Sequence, residues 1–247
     1  MKTVLITGAN KGIGFETAKQ MAQFGYFVYL GSRDKTRGLD AVNKLKDLGI
    51  SNVELIEIDV TNIDSIKKAR QELENKIEAL DVLINNAGIS GGPSQNISTV
   101  DIENLRRVFE TNFFGAVQTT QQFLNLLKKS NNPVIVNVSS GLGSLAIHNS
   151  SQNPNYRIYD AYSCSKTALN AFTVTLANEL KDTNLPAGRQ GFKINSVSPG
   201  YTATDLNHFK GTQTVELAAS TIVKYAILDN DGPTGKFFYQ EKGEIPW

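Results

Sequence analysis

The stretch Thr7-Gly8-Ala9-Asn10-Lys11-Gly12-Ile13-Gly14 constrains this chain more than any other. It stands between the apolar run Val4-Leu5-Ile6 and a helix-like segment from Phe15 to Phe24. That setting predicts a strand ending in a glycine-rich turn that feeds a helix N-terminus. There, unpaired backbone N–H groups and the aligned peptide dipoles hold a phosphate. Glycine has a physical use at each of its three places: turning the chain sharply, letting backbone approach a pyrophosphate, and packing the helix close to the sheet. The spacing is Gly-x3-Gly-x-Gly, not the more common Gly-x-Gly-x-x-Gly. A dinucleotide site is the first reading and a ligand-free turn the alternative, so other segments must decide.

The rest of the chain alternates strand and helix patterns. Phe27-Val28-Tyr29-Leu30 is a β-prone run, and Leu39, Ala41, Val42, Leu45 and Leu48 then recur at helical spacing. Val53–Ile58 reads as a third strand ending at Asp59, followed by Thr61-x-x-Asp64 as a capping box for a helix bearing Ile66, Ala69, Leu73 and Ile77. Val82-Leu83-Ile84 runs into Asn85-Asn86-Ala87-Gly88, and one long helix is expected from Ile102 to Leu127. Strands at Pro133–Ser139 and Phe192–Val197, helices at Ala161–Leu180 and Val215–Ile227, and a final strand with a hairpin-like end complete the pattern. This predicts an α/β fold: a doubly wound, mostly parallel sheet with helices on both faces, formed as one domain over residues 1–247. Ligands bind beyond the carboxyl ends of such strands, where the polar clusters of this chain fall.

Twenty-five Lys and Arg against 24 Asp and Glu leave a formal charge of +1, giving no bulk electrostatic case for nucleic acid or a membrane surface. Cys164 is the only cysteine, so no internal disulfide is possible and a reducing, cytoplasmic setting is expected. No apolar run is long enough to span a bilayer, and the first strand is too short for a signal-peptide core. His148 and His208 lack companions at metal-binding spacing, so no metal centre is expected.

Tyr162 and Lys166 stand at i and i+4, one turn apart on one helix face. A lysine there favours the phenolate and brings the phenol nearer to neutral, as a general acid or base requires. Cys164, between them, points to another face and is expected to be a small packed residue. Ser139 and Ser140 end the preceding strand; because a strand alternates faces, only one hydroxyl should reach a substrate.

With the glycine loop, Asn85-Asn86-Ala87-Gly88, Asn112, Ser140, Tyr162 and Lys166 in this order, the chain resembles the short-chain dehydrogenase/reductase family from Lys2 to its C-terminus. The resemblance implies a Rossmann-type fold and catalysis by Asn112, Ser140, Tyr162 and Lys166. Tyr162 would exchange a proton with the substrate oxygen, and Lys166 would lower its pKa and bond the nicotinamide ribose. Ser140 would hold the substrate oxygen, and Asn112 would anchor a relay water. Gly8, Asn10, Lys11, Gly12, Ile13 and Gly14 would cradle the cofactor, and Asn86, Ala87 and Gly88 would lie along its adenosine side. Pro199, Gly200, Thr202 and Thr204 would face the carboxamide.

After the second strand an NAD site carries an acid for the ribose hydroxyls, whereas an NADP site needs cations for the 2′-phosphate. Here Ser32-Arg33 follows Leu30-Gly31, and Lys11 lies in the glycine loop, so NADP(H) is the expected cofactor. Asp34 either caps the next helix or opposes the phosphate. Asp59 and Val60 are expected to flank the adenine, unless Asp59 merely ends its strand.

Twenty-one residues separate Ser140 from Tyr162, more than compact family members have, and the segment 148–160 is expected to wall the substrate site. This insertion is similar to those of carbonyl-reductase-like members, several of them monomers, but the residues leave monomer and homo-oligomer both open. The segment 185–190 is expected to be a surface loop, and Phe209 with its neighbours a lid. The function expected is NADP(H)-dependent interconversion of a small-molecule carbonyl compound (aldehyde, ketone or quinone) and its alcohol. The alternatives are an NADP-linked epimerase or dehydratase, and a non-catalytic NADP(H)-binding redox sensor.

Overall fold

The computed structural model describes residues 1–92, 95–150, 159–181, 191–240 and 242–247. Eight strands form one sheet in the order β3-β2-β1-β4-β5-β6-β7-β8. They are β1 (Thr3–Ile6), β2 (Phe27–Ser32), β3 (Val53–Glu57), β4 (Val82–Asn85), β5 (Val134–Val138), β6 (Lys193–Ser198), β7 (Lys236–Tyr239) and β8 (Gly243–Glu244). β1 to β7 pair in parallel, and β8 returns antiparallel to β7 as the hairpin-like end.

Each central strand buries both of its faces, which is why the sequence shows continuous apolar runs. Val4 and Ile6 of β1 point into one core and Leu5 into the other; Val28 and Leu30 oppose Tyr29, and Val134 and Val136 oppose Ile135, in the same way. The first core is closed by α1 (Gly12–Gln23), α2 (Lys35–Asp47) and α8 (Val215–Ala226), through residues such as Met21, Leu45 and Ile222. The second is closed by α3 (Ile63–Glu74), α5 (Gly115–Leu127) and α7 (Asp160–Glu179), through Leu73, Phe123 and Leu176. Full burial of one such Leu or Phe side chain stabilises the fold by about 1.5–3 kcal/mol. The helices α4 (Ile102–Phe109) and α6 (Leu145–Ser150) lie outside these two layers of core contacts.

Two local expectations are corrected. The cap of α3 is Asn62, whose side chain accepts from the N–H groups of Asp64 and Ser65 at 3.0 and 3.1 Å, not Thr61. Thr61 instead turns back, its N–H and hydroxyl both donating to Asp59 Oδ1, which closes the end of β3. The long helix expected over Ile102–Leu127 is broken into α4, a π turn at Glu110–Phe114, and α5. Apolar periodicity cannot reveal one extra residue in a turn, and Asn112 sits inside that turn, 1% exposed.

The strand order reverses between β1 and β4, which opens a crevice at their carboxyl ends. There Thr7 Oγ1 accepts from the N–H groups of Asn86 and Ala87, both at 3.0 Å, while Asn86 Nδ2 donates to the carbonyls of Thr7 and Gly8. These bonds knit the glycine turn to the loop after β4. Among the described residues no helix is long and apolar enough to cross a membrane.

Candidate active site

A cleft of about 710 Å³ opens over the carboxyl ends of the strands. Gly8, Asn10, Lys11, Gly12, Ile13 and Gly14 line it from the β1–α1 turn, and Arg33, Asp59 and Val60 from the ends of β2 and β3. Asn86, Ala87 and Gly88 follow β4 into it, Ser139 and Ser140 follow β5, and Tyr162 and Lys166 face it from α7. Pro199, Gly200, Thr202 and Thr204, after β6, close the far side. Asn112 lies behind this wall.

The glycine turn is built for close approach. Gly8 has φ +63°, and a Cβ on Gly14 would fall 2.4 Å from Asn86 Nδ2 and 2.6 Å from the Gly8 carbonyl oxygen. α2, α3, α4 and α8 each start with a side-chain cap, from Asp34, Asn62, Asp101 and Thr214. Among the described residues, Lys11 at the start of α1 makes no such bond, so the first-turn N–H groups of α1 face the cleft without a side-chain acceptor. An uncapped N-terminus with glycine on the cleft wall fits a pyrophosphate.

Asp34 resolves as a cap: its side chain accepts from Arg37 N–H at 3.0 Å, leaving Arg33 exposed at the cleft. Lys11 pairs instead with Asp205 across the cleft mouth at 3.0 Å, both side chains more than half exposed. Asp59 uses Oδ1 to hold Thr61 and still borders the cleft, so ending its strand does not remove it from the place where the adenine is expected.

At the other end, Lys166 is buried and its Nζ donates to the Val138 carbonyl at 2.7 Å, 5.6 Å from the centroid of the Tyr162 ring. Burial lowers its pKa from 10.5 to about 8. Burial raises that of Tyr162 to about 12, with the Ser140 hydroxyl pulling weakly the other way. This corrects the expectation that Lys166 brings the phenol toward neutral: desolvation of the phenolate outweighs the favourable contacts. Of the two serines, Ser139 is buried and donates to Asn170 Oδ1 at 2.7 Å, while Ser140 stands beside the Tyr162 hydroxyl.

Asn112 acts as a strut. Its Oδ1 accepts from Ile89 N–H at 2.8 Å, and its Nδ2 donates to the Ile89 carbonyl and to Ser165 Oγ, each at 3.0 Å. Ser165 Oγ donates in turn to the Tyr162 carbonyl at 2.7 Å. Both amide hydrogens of Asn112 are therefore engaged with the chain rather than offered to a water.

The substrate end is walled by Leu142, Tyr159, Tyr201, Leu206 and His208, and by Ser90-Gly91-Gly92. Sequence reading missed Tyr201, Leu206 and the 90–92 loop, since isolated residues in loops carry no periodic signal. Of the expected 148–160 wall, Tyr159 borders the cleft, whereas His148 belongs to α6 away from it, and 151–158 lie outside the described residues. So does the segment 185–190. Phe209, the expected lid residue, is 67% exposed and outside the cleft wall; the left-handed backbone at His208 and Phe209 turns its ring outward while Leu206 and His208 face in. Cys164, expected to be packed, is exposed. Its position two residues from both Tyr162 and Lys166 puts it on the solvent side of α7.

Residues 2–214 match the family model of the short chain dehydrogenases. The chain belongs to this family. Over 96% of the chain and 95% of the relative's length it is 31% identical to a (+)-neomenthol dehydrogenase of Capsicum annuum. It is 30% identical to a salutaridine reductase of Papaver bracteatum over 97% of the chain and 94% of that protein. Among solved structures, an NADPH-bound carbonyl reductase from chicken fatty liver superposes with a TM-score of 0.83 at 26% identity, covering 100% of this chain and 99% of the other. This short-chain dehydrogenase is thus an oxidoreductase with the Rossmann-type fold that its residue pattern predicted.

Proposed function

We propose that this protein reduces a small-molecule ketone, aldehyde or quinone to the corresponding hydroxyl compound with NADPH, and that Tyr162 supplies the proton. The observation that carries this reading is the convergence of Tyr162, Ser140 and Lys166 on one cleft whose other half is an uncapped, glycine-lined helix start. The preference for NADPH rests on Arg33 at the cleft rim, with Asp34 turned away into its cap. Relatives named for reduction of isopiperitenone and salutaridine, and the NADPH-bound carbonyl reductase, favour the same chemistry.

The nicotinamide cofactor would supply the hydride; Gly8 to Gly14, Asn86 to Gly88 and Pro199 to Thr204 would hold it, and Lys166 would reach its ribose. The protein's own part is the proton. With its pKa about 12, Tyr162 is a neutral phenol at pH 7 and carries the proton to be given. A carbonyl reduced at carbon becomes an alkoxide, the conjugate base of an acid about as weak as water and much weaker than the phenol, so transfer from the phenol runs downhill. Lys166, with its pKa about 8, is mostly charged at neutral pH and stabilises the phenolate left behind. Ser140 orients the substrate oxygen toward the phenol, and Asn112, through Ser165, holds the turn that carries it.

The test is loss of NADPH absorbance with a panel of aldehydes, ketones and quinones, beside NADH and a Tyr162→Phe variant. NADPH-dependent turnover that falls about 10²- to 10⁴-fold in Tyr162→Phe is expected, with cofactor affinity kept. Tight NADPH binding without turnover across the panel would instead favour the epimerase, dehydratase or sensor alternatives.

A further inference from the structure

Gln95 is wholly buried, at 0% exposure, and its side-chain amide spans two elements. Nε2 donates to the Ser90 carbonyl at 2.5 Å and to the Gly92 carbonyl, in the loop after β4 that borders the substrate end of the cleft. Oε1 accepts from the backbone N–H of Tyr162 at 3.0 Å. That N–H belongs to the first turn of α7, where helical N–H groups have no partner within the helix. Tyr159, at the N-cap, makes no side-chain cap bond.

From these contacts we infer that Gln95 is a positioning residue for Tyr162: it replaces the missing cap of α7 and ties the phenol-bearing turn to the loop that shapes the substrate pocket. The inference rests on the reading of Tyr162 as proton donor. A second bond runs in parallel, since Asp160 Oδ2 accepts from Ile97 N–H at 2.9 Å, so segment 95–97 grips the first turn of α7 twice. The Tyr162 peptide groups are then held from both sides: the N–H by Gln95, and the carbonyl by Ser165, which Asn112 supports. Ile89, at the base of the same loop, is pinned by Asn112, and Ser90 and Gly92, at its tip, by Gln95. Loop and phenol move as one body only while both amides are in place. A primary amide suits Gln95 because the position needs two donors on one side and an acceptor on the other, with no charge to bury.

The test uses Gln95→Met, which keeps length and burial but lacks the amide, and Gln95→Asn, which keeps the amide but is one methylene too short to span the gap. For both, kcat of carbonyl reduction is expected to fall about 10- to 100-fold, with KM and the NADPH Kd changed less than about threefold. The solvent deuterium isotope effect on kcat should increase, because transfer from a displaced phenol becomes slower than hydride transfer. Either variant suffices if the other does not fold. A purely structural Gln95 would lower the melting temperature while kcat per folded molecule and the isotope effect stay at wild-type values, and that result overturns the inference. Tyr162→Phe run alongside separates the two failures: full activity in it removes the proton-donor reading and this inference together, whereas an inert Tyr162→Phe beside unaffected Gln95 variants removes the inference alone.

Discussion

At the residue scale the proposed chemistry depends on one half-buried phenol and one buried amine packed together. Burial acts on them in opposite directions, raising Tyr162 to about 12 and lowering Lys166 to about 8, so both are biased toward their neutral forms. The consequence for stability has a definite sign. Below pH 8 Lys166 is protonated in both folded and unfolded chains, and the cost of burying its charge is fully present. Between about 8 and 10.5 the folded chain has released that proton and the unfolded chain has not, so stability rises with pH. Tyr162 works the other way above 10, where the folded chain keeps its proton longer and stability falls. In urea unfolding, the stability of the wild type relative to Lys166→Met is therefore expected to be on the order of 1–3 kcal/mol greater at pH 9.5 than at pH 7. A difference that does not change with pH would show that the ammonium is not desolvated as the geometry implies.

At the element scale, the start of α1 is where the proposed cofactor would be held. That role would use two features that weaken a helix start, no side-chain cap and glycine at the first and third positions. Ala at position 14 has the better helix propensity by about 1 kcal/mol, yet its Cβ would meet the Gly8 carbonyl, which is backbone of the same turn. Gly14→Ala is expected to destabilise the fold by about 1–3 kcal/mol and to weaken NADPH binding, read by denaturant midpoint and by fluorescence titration. A stabilised variant would mean that propensity wins and the turn yields. The π turn at Glu110–Phe114 is the second decisive element, since it carries Asn112 against Ile89 and Ser165. The sequence marks Asn112 as a candidate by resemblance to a family; the change of helical pitch that directs its amide into these contacts leaves no trace in an amphipathic pattern that remains apolar on one face.

At the scale of the whole molecule, the sheet turns scattered loops into one cleft. Reversal of strand order between β1 and β4 brings the first and fourth loops into contact, and parallel pairing puts the ends of β5 and β6 alongside. A polar chain beneath the cleft holds these strands in register: Asn85 donates to Asn137 and Thr120, Asn137 to Thr173, and Thr173 bonds Ser196. Because the cofactor would touch so many strand ends, its binding is expected to stabilise the molecule as a unit. At 100 times its Kd, NADPH should add about 2.7 kcal/mol, or roughly 5–10 °C in melting temperature for a chain of this size. NADH at the same concentration should give a smaller shift, and in Arg33→Ala the gap between the two should close, since a charge-assisted contact to phosphate is worth about 1.5–3 kcal/mol. Equal shifts in the wild type would overturn the assignment of Arg33.

The order of strands and helices, the two-faced burial of the sheet and the glycine turn were legible in the residues, because apolar period and glycine spacing are local properties written along the chain. The pairing of Tyr162 with Lys166 was legible for the same reason, being one turn of one helix. Tertiary structure alone decided the rest. The cap of α3 moved to Asn62 because Asp59 claimed Thr61, Lys11 turned to Asp205, and Phe209 left the cleft for solvent. The Tyr162 pKa rose where helical spacing with Lys166 implied a fall, because desolvation depends on everything packed around a group and not on its neighbour in sequence. Gln95 lies 67 positions from Tyr162 in a stretch with no motif, and only the fold that closes this distance makes it the partner of the tyrosine's backbone.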